Sequence, residues 1–189
     1  MRFSITILAT AGLVGTTALA QSPVDDFFNL TDSLCLPAIE SGNAPDLADF
    51  APFDPNNPER DFLGSSLGDG HVTDDPRLVV IYGETNGFRS CEVSFAGRNL
   101  SADDQAISDR LPDWFENLTG QSRYVLIDNC DFAGFKFYLV AGTSVPNPRG
   151  HYVRFVAHAG VDFEDEDRYG QPRILIGETP EMSEERCIE

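Results

Sequence analysis

The chain has 189 residues, of which 31 are acidic and 13 are basic, so its formal net charge at pH 7 is −18. A surface this acidic repels phosphate backbones and anionic lipid headgroups, which argues against binding to nucleic acid or to a membrane surface. Hydrophobic residues make up 41% of the chain, which excludes a disordered protein despite the charge.

The first twenty residues have the three-part layout of a secretory signal peptide. Arg2 provides a positive start, residues 3–19 are apolar or small, and Ala18 and Ala20 form an A-x-A cleavage site. We therefore predict cleavage after Ala20, export to the periplasm or the medium, and no stable membrane anchoring after cleavage. Residues 21–189 are long enough for a single domain with its own hydrophobic core.

A helix is predicted directly after the signal peptide. Ser22 is a capping residue, Pro23 takes the first helical position, and apolar residues, Cys35 among them, recur at helical spacing as far as Ile39. Pro37 is expected to kink or end this helix.

Residues 43–76 are rich in Gly, Pro, Asp and Asn and show no periodicity. They predict a long loop, and a loop of this length in a compact domain is usually functional or mobile. Its apolar side chains make it the candidate contact surface of the domain: Phe50, Phe53, Phe62 and Leu63.

The pattern changes at Arg77, after which a β-hairpin is predicted. Its strands cover 78–82 and 88–95, with a turn over 83–87. In the second strand Cys91 lies on the apolar face, with Val93 and Phe95, whereas Glu92 and Ser94 lie on the other face.

A second helix and four further strands are predicted after the hairpin. Ser101 caps the helix, and Gly120 ends it. The strands cover 123–128, 134–141, 151–158 and 173–176. This order predicts an α+β domain in which an antiparallel sheet of about six strands carries two helices on one face.

Four cysteines, Cys35, Cys91, Cys130 and Cys187, follow the signal peptide. An even number in an exported protein predicts two disulfides, and the wide spacings argue against a zinc site, which needs close pairs.

The segment 75–85 resembles 171–179, since both contain Pro-Arg, an apolar run and Gly-Glu-Thr, and each arginine precedes a cysteine by 14 positions. Duplication of a unit would pair each half internally, as Cys35–Cys91 and Cys130–Cys187, although a chance resemblance is the alternative. We predict that pairing and therefore a disulfide-stapled domain.

One pattern fits a nucleophilic serine. Residues 64–68 match G-x-S-x-G around Ser66, but the chemistry needs a strand-to-helix turn there, and the surrounding sequence predicts a Gly-rich loop. His71, His151 and His158 are the candidate bases. His151 and His158 are an odd number of residues apart, so on a regular strand they face opposite sides, which favours ordinary strand residues over a metal site.

An acidic run near the C-terminal end contains the candidate calcium ligands Asp162, Glu164, Asp165 and Asp167. The run fails the EF-hand template, because Tyr169 and Ile176 stand where acidic ligands belong. A solvated acidic loop without a bound metal is the preferred interpretation.

These patterns favour an exported, acidic binding or interaction module over an enzyme. Its partner would be a protein or a small-molecule ligand of unknown identity, and no cofactor is expected. The alternative is a small secreted hydrolase that uses Ser66 with a nearby histidine.

Overall fold

The computed structural model describes residues 22–53, 69–73, 77–95, 102–121, 123–130, 138–158, 161–163, 168–170 and 172–182. The predicted signal peptide, Ser66, Glu164, Asp165, Asp167 and Cys187 lie outside these residues. In the described part of the chain, no helix is both long enough and apolar enough to cross a membrane.

The first helical segment is continuous but changes its hydrogen-bond spacing in the middle. It comprises α1 (Pro23–Leu30), a π-helical turn (Thr31–Cys35) and α2 (Leu36–Ser41). Ser22 caps α1 by accepting a hydrogen bond from the backbone N–H of Asp25. Pro37 lacks an N–H group and its ring crowds the preceding turn, so the chain widens there instead of breaking: the N–H of Leu36 donates to the carbonyl of Thr31.

The second long helix, α3 (Ala102–Gly120), continues past Pro112 without a break. It packs against α1 through Arg110, which lies over the ring of Phe28 and pairs with Asp25 at 2.7 Å. Trp114 adds a hydrogen bond from its indole N–H to Asp32. Both helices therefore belong to one layer, as the sequence predicted.

The sheet has eight strands, all antiparallel to their neighbours, in the order β1-β2-β3-β4-β10-β7-β6-β5. The strands are β1 (Ala51–Pro52), β2 (Asp69–Val72), β3 (Leu78–Thr85), β4 (Phe88–Phe95), β5 (Tyr124–Cys130), β6 (Tyr138–Thr143), β7 (Tyr152–His158) and β10 (Arg173–Thr179). A separate hairpin pairs β8 (Val161–Phe163) with β9 (Arg168–Gly170).

The α+β class and the two helices agree with the sequence prediction, but eight strands replace the six expected. The additional strands β1 and β2 come from within 43–76, so that segment is not a loop throughout. They pair in antiparallel register at the outer edge of β3. The β8–β9 hairpin likewise flanks the acidic run that was predicted as a solvated loop.

The β3–β4 hairpin turns more tightly than predicted. Asn86 and Gly87 both have positive φ angles, 54° and 85°, which is the backbone of a two-residue hairpin turn. The strand β3 therefore continues to Thr85, and Glu84 becomes a strand residue.

The core lies between the two helices and one face of the sheet, called here the helix face. It contains the apolar residues along one side of the helices and every second residue of the central strands, including Phe27, Ile39, Leu111, Val93, Phe155 and Ile174. The opposite side of the sheet is called the far face. On β3 and β4 the far-face residues Val79, Ile81, Glu92 and Ser94 are buried as well.

A disulfide joins Cys35 in the π-helical turn to Cys91 on β4, with the two Cα atoms 5.3 Å apart. The predicted pair Cys35–Cys91 is confirmed, and the described residues hold this one disulfide where two were expected. The side chain of Cys130 and all of Cys187 lie outside the described residues, so their pairing stays a prediction.

The two similar sequence segments occupy related places in the sheet. The runs ending in Gly-Glu-Thr form β3 and β10, and these two strands flank β4 on either side. The cysteines proposed as equivalent do not match, because Cys35 lies in a helical segment and Cys130 ends a strand.

Candidate functional site

The residues singled out in the sequence do not meet at one place in the described structure. His71 lies on β2 and His151 precedes β7, four strand spacings away, which corresponds to about 19 Å. Ser66 lies outside the described residues, and of His158 and Asp162 the structure describes only the backbone, in β7 and β8. Within the described residues, no three His, Cys, Asp or Glu side chains are grouped to hold a metal ion.

His151 belongs to a polar cluster at the end of the sheet where Glu178 is buried on the helix face. The Nδ1 atom of His151 lies 3.2 Å from Glu178, whose side chain is 0% exposed, and the imidazole ring contacts Phe88 at 4.8 Å between centroids. Glu178 also accepts hydrogen bonds from the backbone N–H of Arg89 at 2.9 Å and from the amide of Asn147 at 2.7 Å.

This cluster has a structural role. Burial alone would raise the pKa of Glu178, but the hydrogen bonds from Arg89, Asn147 and His151 and the nearby charge of Arg149 lower the pKa below its usual value. Asn147 also donates to the carbonyl of Ile39, so the cluster ties the loop before β7 to the end of α2. The carboxylate of Glu178 is therefore fully supplied with hydrogen-bond donors.

A cavity of about 530 Å³ opens on the far face over β4, β10 and β7. We call it the far-face cleft. Strand register places two rows of residues beneath it: Glu92 lies beside Leu175 and Leu175 beside Val156, while Ser90 lies beside Gly177 and Gly177 beside Arg154. Alternation along each strand is what aims these side chains away from the helices.

Glu92 is the exceptional residue of the cleft. Its side chain is 1% exposed, and within the described residues neither carboxyl oxygen has a hydrogen-bond partner. Its nearest cation is Arg173, whose Nη1 lies 3.9 Å from Oε1, which is an ion pair but too long for a hydrogen bond.

The environment of Glu92 changes its ionisation. Burial raises its pKa to about 7, although the charge of Arg173 acts in the opposite direction. At neutral pH the carboxyl group is therefore divided between its protonated and its ionised form.

Two arginine side chains line the far-face cleft, those of Arg154 and Arg173. The side chain of Arg89 lies on the helix face instead, where its guanidinium donates to the carbonyl of Gly42 and to Glu84. The remaining walls of the cleft include the apolar side chains of Phe88, Val156 and Leu175. The arrangement can bind a group that accepts hydrogen bonds, a group that donates them, and an apolar surface at the same time.

Sequence reasoning assigned Glu92 to the polar face of its strand and expected nothing more of it. The residue becomes unusual only in the folded sheet, where β10, about 80 residues away in sequence, pairs with β4 and places Leu175 beside Glu92. The sequence does show a charged residue whose two neighbours along the strand are apolar. That this residue is buried follows only from the strand order, which the sequence does not reveal.

Comparisons with protein-family models, with curated proteins and with solved structures give no match to this chain.

Proposed function

We propose that this protein is an exported ligand-binding module and that the far-face cleft holds a small molecule. One observation carries the proposal: Glu92 is a buried carboxyl group without a hydrogen-bond donor among the described residues, and it lines the cleft.

A buried polar group without a partner reduces stability, by roughly 1–3 kcal/mol and by more when it is charged. Glu178 provides a comparison within the same fold, because it is equally buried but its carboxylate is surrounded by hydrogen-bond donors. A ligand in the cleft can supply such donors once the side chains that cover the Glu92 carboxyl group move aside.

The dimensions of the cleft support the same conclusion. Its volume of about 530 Å³ falls within the range of roughly 300–1,000 Å³ that is usual for small-molecule sites. A few polar groups among apolar walls are also typical of such sites, because the polar groups orient a ligand and the apolar surface binds it.

Export rests on the signal-peptide pattern of residues 1–20 and on the Cys35–Cys91 disulfide. Disulfides form and persist in oxidising compartments, so the bridge is compatible with the periplasm or the medium.

Filling the cleft tests the proposal. Gly177 lies on the cleft floor, and a Cβ added there meets its nearest heavy atoms, the carbonyl oxygen of Arg89 and the Cβ of Ser90, at 3.7 and 3.9 Å. These are ordinary contacts, so Gly177→Ala is compatible with the fold, and Gly177→Leu projects a larger side chain into the cleft. Gly120→Leu is the matched control, because an added Cβ at Gly120 meets nothing within 4 Å.

The measurement is thermal denaturation with a panel of amino acids, hydroxy acids, sugars, nucleosides and polyamines. We expect at least one class to raise the Tm of the wild type, of Gly177→Ala and of Gly120→Leu by a few degrees. The same class should leave the Tm of Gly177→Leu unchanged. No effect of any class on the wild type, or an equal effect on Gly177→Leu, contradicts the proposal.

The hydrolase alternative stays a prediction, and no observation on the described residues favours it. A fluorophosphonate probe should leave the purified protein unlabelled, since the described histidines His71 and His151 do not converge. Labelling that disappears in Ser66→Ala, but persists in the neighbouring Ser65→Ala, would establish the hydrolase instead.

A further inference from the structure

We infer that Glu92 and Leu175 form a pH-operated gate on the far-face cleft. When Glu92 loses its proton to solvent, Leu175 turns away from it into the space above Gly177, and water from the cleft reaches the carboxylate. The gate belongs to the free protein and needs no bound ligand, so this inference is independent of the proposed function.

The two strands that flank Glu92 cover it unequally. Ile81 on β3 and Leu175 on β10 are its register partners, so Glu92 lies between two apolar residues on the far face. Ile81 is buried, whereas Leu175 is half-buried and lines the cleft. Leu175 is therefore the side of this cover that can give way.

Space for the movement exists next to Leu175. Gly177 is the following residue of β10 on the same face, and it has no side chain. A Cβ added there would have its nearest heavy atom at 3.7 Å. Because a leucine side chain occupies discrete staggered rotamers, a change of rotamer can carry Leu175 over Gly177.

Ionisation of Glu92 supplies the driving force. Its side chain is 1% exposed, and neither carboxyl oxygen has a hydrogen-bond partner within the described residues. Burial disfavours a charged carboxylate far more than a neutral carboxylic acid, and it raises the pKa of Glu92 to about 7. The protonated form therefore tolerates the apolar cover, whereas the ionised form favours contact with water.

The charged groups around Glu92 are few among the described residues. Arg173 is the nearest, at 3.9 Å, and its charge stabilises the carboxylate. Arg154 lies on β7, and both arginines have further contacts of their own, so the gate requires neither of them to move. His158 is the register partner of Arg173, and histidines titrate near neutral pH. The neighbouring far-face residues of β3 and β4 are uncharged: Val79, Ile81, Gly83, Ser90 and Ser94.

The test follows both halves of the gate in NMR spectra of the ¹³C-labelled protein, recorded from about pH 4 to pH 8. In the wild type, the Leu175 methyl signals and the Glu92 carboxyl signal should change with one common midpoint, between the ordinary 4.5 and about 7. Glu92→Gln should abolish the change at Leu175. His158→Gln and Glu116→Gln, which alter other titrating groups, should retain it.

Two variants of the gate should move the midpoint in opposite directions. Leu175→Ala uncovers the carboxyl group and should lower the midpoint by at least about one pH unit, whereas Gly177→Leu occupies the space that Leu175 needs and should raise it. Leu126→Ala is the matched control, because Leu126 is 48% exposed on β5, and it should leave the midpoint unchanged.

Several outcomes overturn the gate. Leu175 signals that stay constant while Glu92 titrates do so, and so does a change at Leu175 that persists in Glu92→Gln or disappears in His158→Gln. An unchanged midpoint in both Leu175→Ala and Gly177→Leu has the same consequence. Because the titration uses the free protein, a failure of every compound to bind would contradict the proposed function alone.

Discussion

At the scale of single residues, the contrast between Glu92 and Glu178 explains most of what we propose. Both carboxyl groups are buried, but the environment raises the pKa of Glu92 to about 7 and lowers that of Glu178. Donors surround Glu178, whereas within the described residues Glu92 has only Arg173, at 3.9 Å. One glutamate therefore holds the fold together, and the other lies in the cleft at a cost to stability.

That cost predicts how stability depends on pH. The pKa of Glu92 rises from an ordinary 4.5 to about 7 on folding, so between these values the folded protein keeps a proton that the unfolded chain has lost. Stability contributed by this group is full below about pH 4.5 and declines as the pH rises to about 7. Glu92→Gln removes the titration, so its free energy of unfolding relative to wild type should increase from pH 5 to pH 8, by at most about 3 kcal/mol.

Denaturant unfolding at the two pH values measures this difference. Glu116→Gln is the matched control, since Glu116 is exposed on α3, and its profile should run parallel to that of the wild type. A Glu92→Gln profile that is also parallel to the wild type contradicts the assigned environment of Glu92.

At the scale of elements, local signals in the sequence were sufficient for the helices and the central hairpin. Ser22 and Pro23 mark the start of α1, and the residues 88–95 form β4 as their alternation predicts. Asn86-Gly87 is a strong hairpin signal, and a turn restricted to these two residues could have been predicted from it.

The remaining elements have no local signal. The two residues of β1 and the Asp-Gly-His-Val run of β2 carry no alternation of apolar and polar residues, and they are strands because they pair at the edge of β3. Pro37 predicts a kink or an end of the first helix, but the sequence does not show that a π-helical turn accommodates the proline instead. The far-face cleft depends on pairing between distant strands, so its residues could be placed on strands but not brought together.

The disulfide is the element-scale feature that we expect to matter most for stability. It links the π-helical turn to β4 across 56 residues of sequence, which in the chain-entropy model corresponds to about 4 kcal/mol. The double variant Cys35→Ala/Cys91→Ala should lose about that amount in guanidinium unfolding, a large share of the 5–15 kcal/mol that is typical of a domain.

Reduction of the wild-type protein provides the control. The reduced wild type and the double variant should unfold at nearly the same denaturant concentration if this bridge dominates. A loss below about 1 kcal/mol in the double variant would show that the bridge adds little to the stability of the fold.

At the scale of the whole molecule, the distribution of charge sets the protein apart. The chain has a net charge of −18, and two of its 13 basic residues, Arg154 and Arg173, place their side chains at one cleft. A net charge this far from zero favours solubility and repels other anions. The two faces of the sheet also differ: one face carries the helices and the core, and the other carries the cleft.

The most direct test of this account is a map of backbone amide chemical shifts in the ¹⁵N-labelled protein, recorded with the compound panel pooled by class. We expect one class to shift the amides of Ser90, Glu92, Arg154 and Gly177 on the three strands beneath the cleft, and to leave α3 unchanged. Shifts confined to the helices, or no class that perturbs these strand residues, would contradict the claim that the far-face cleft is a ligand site.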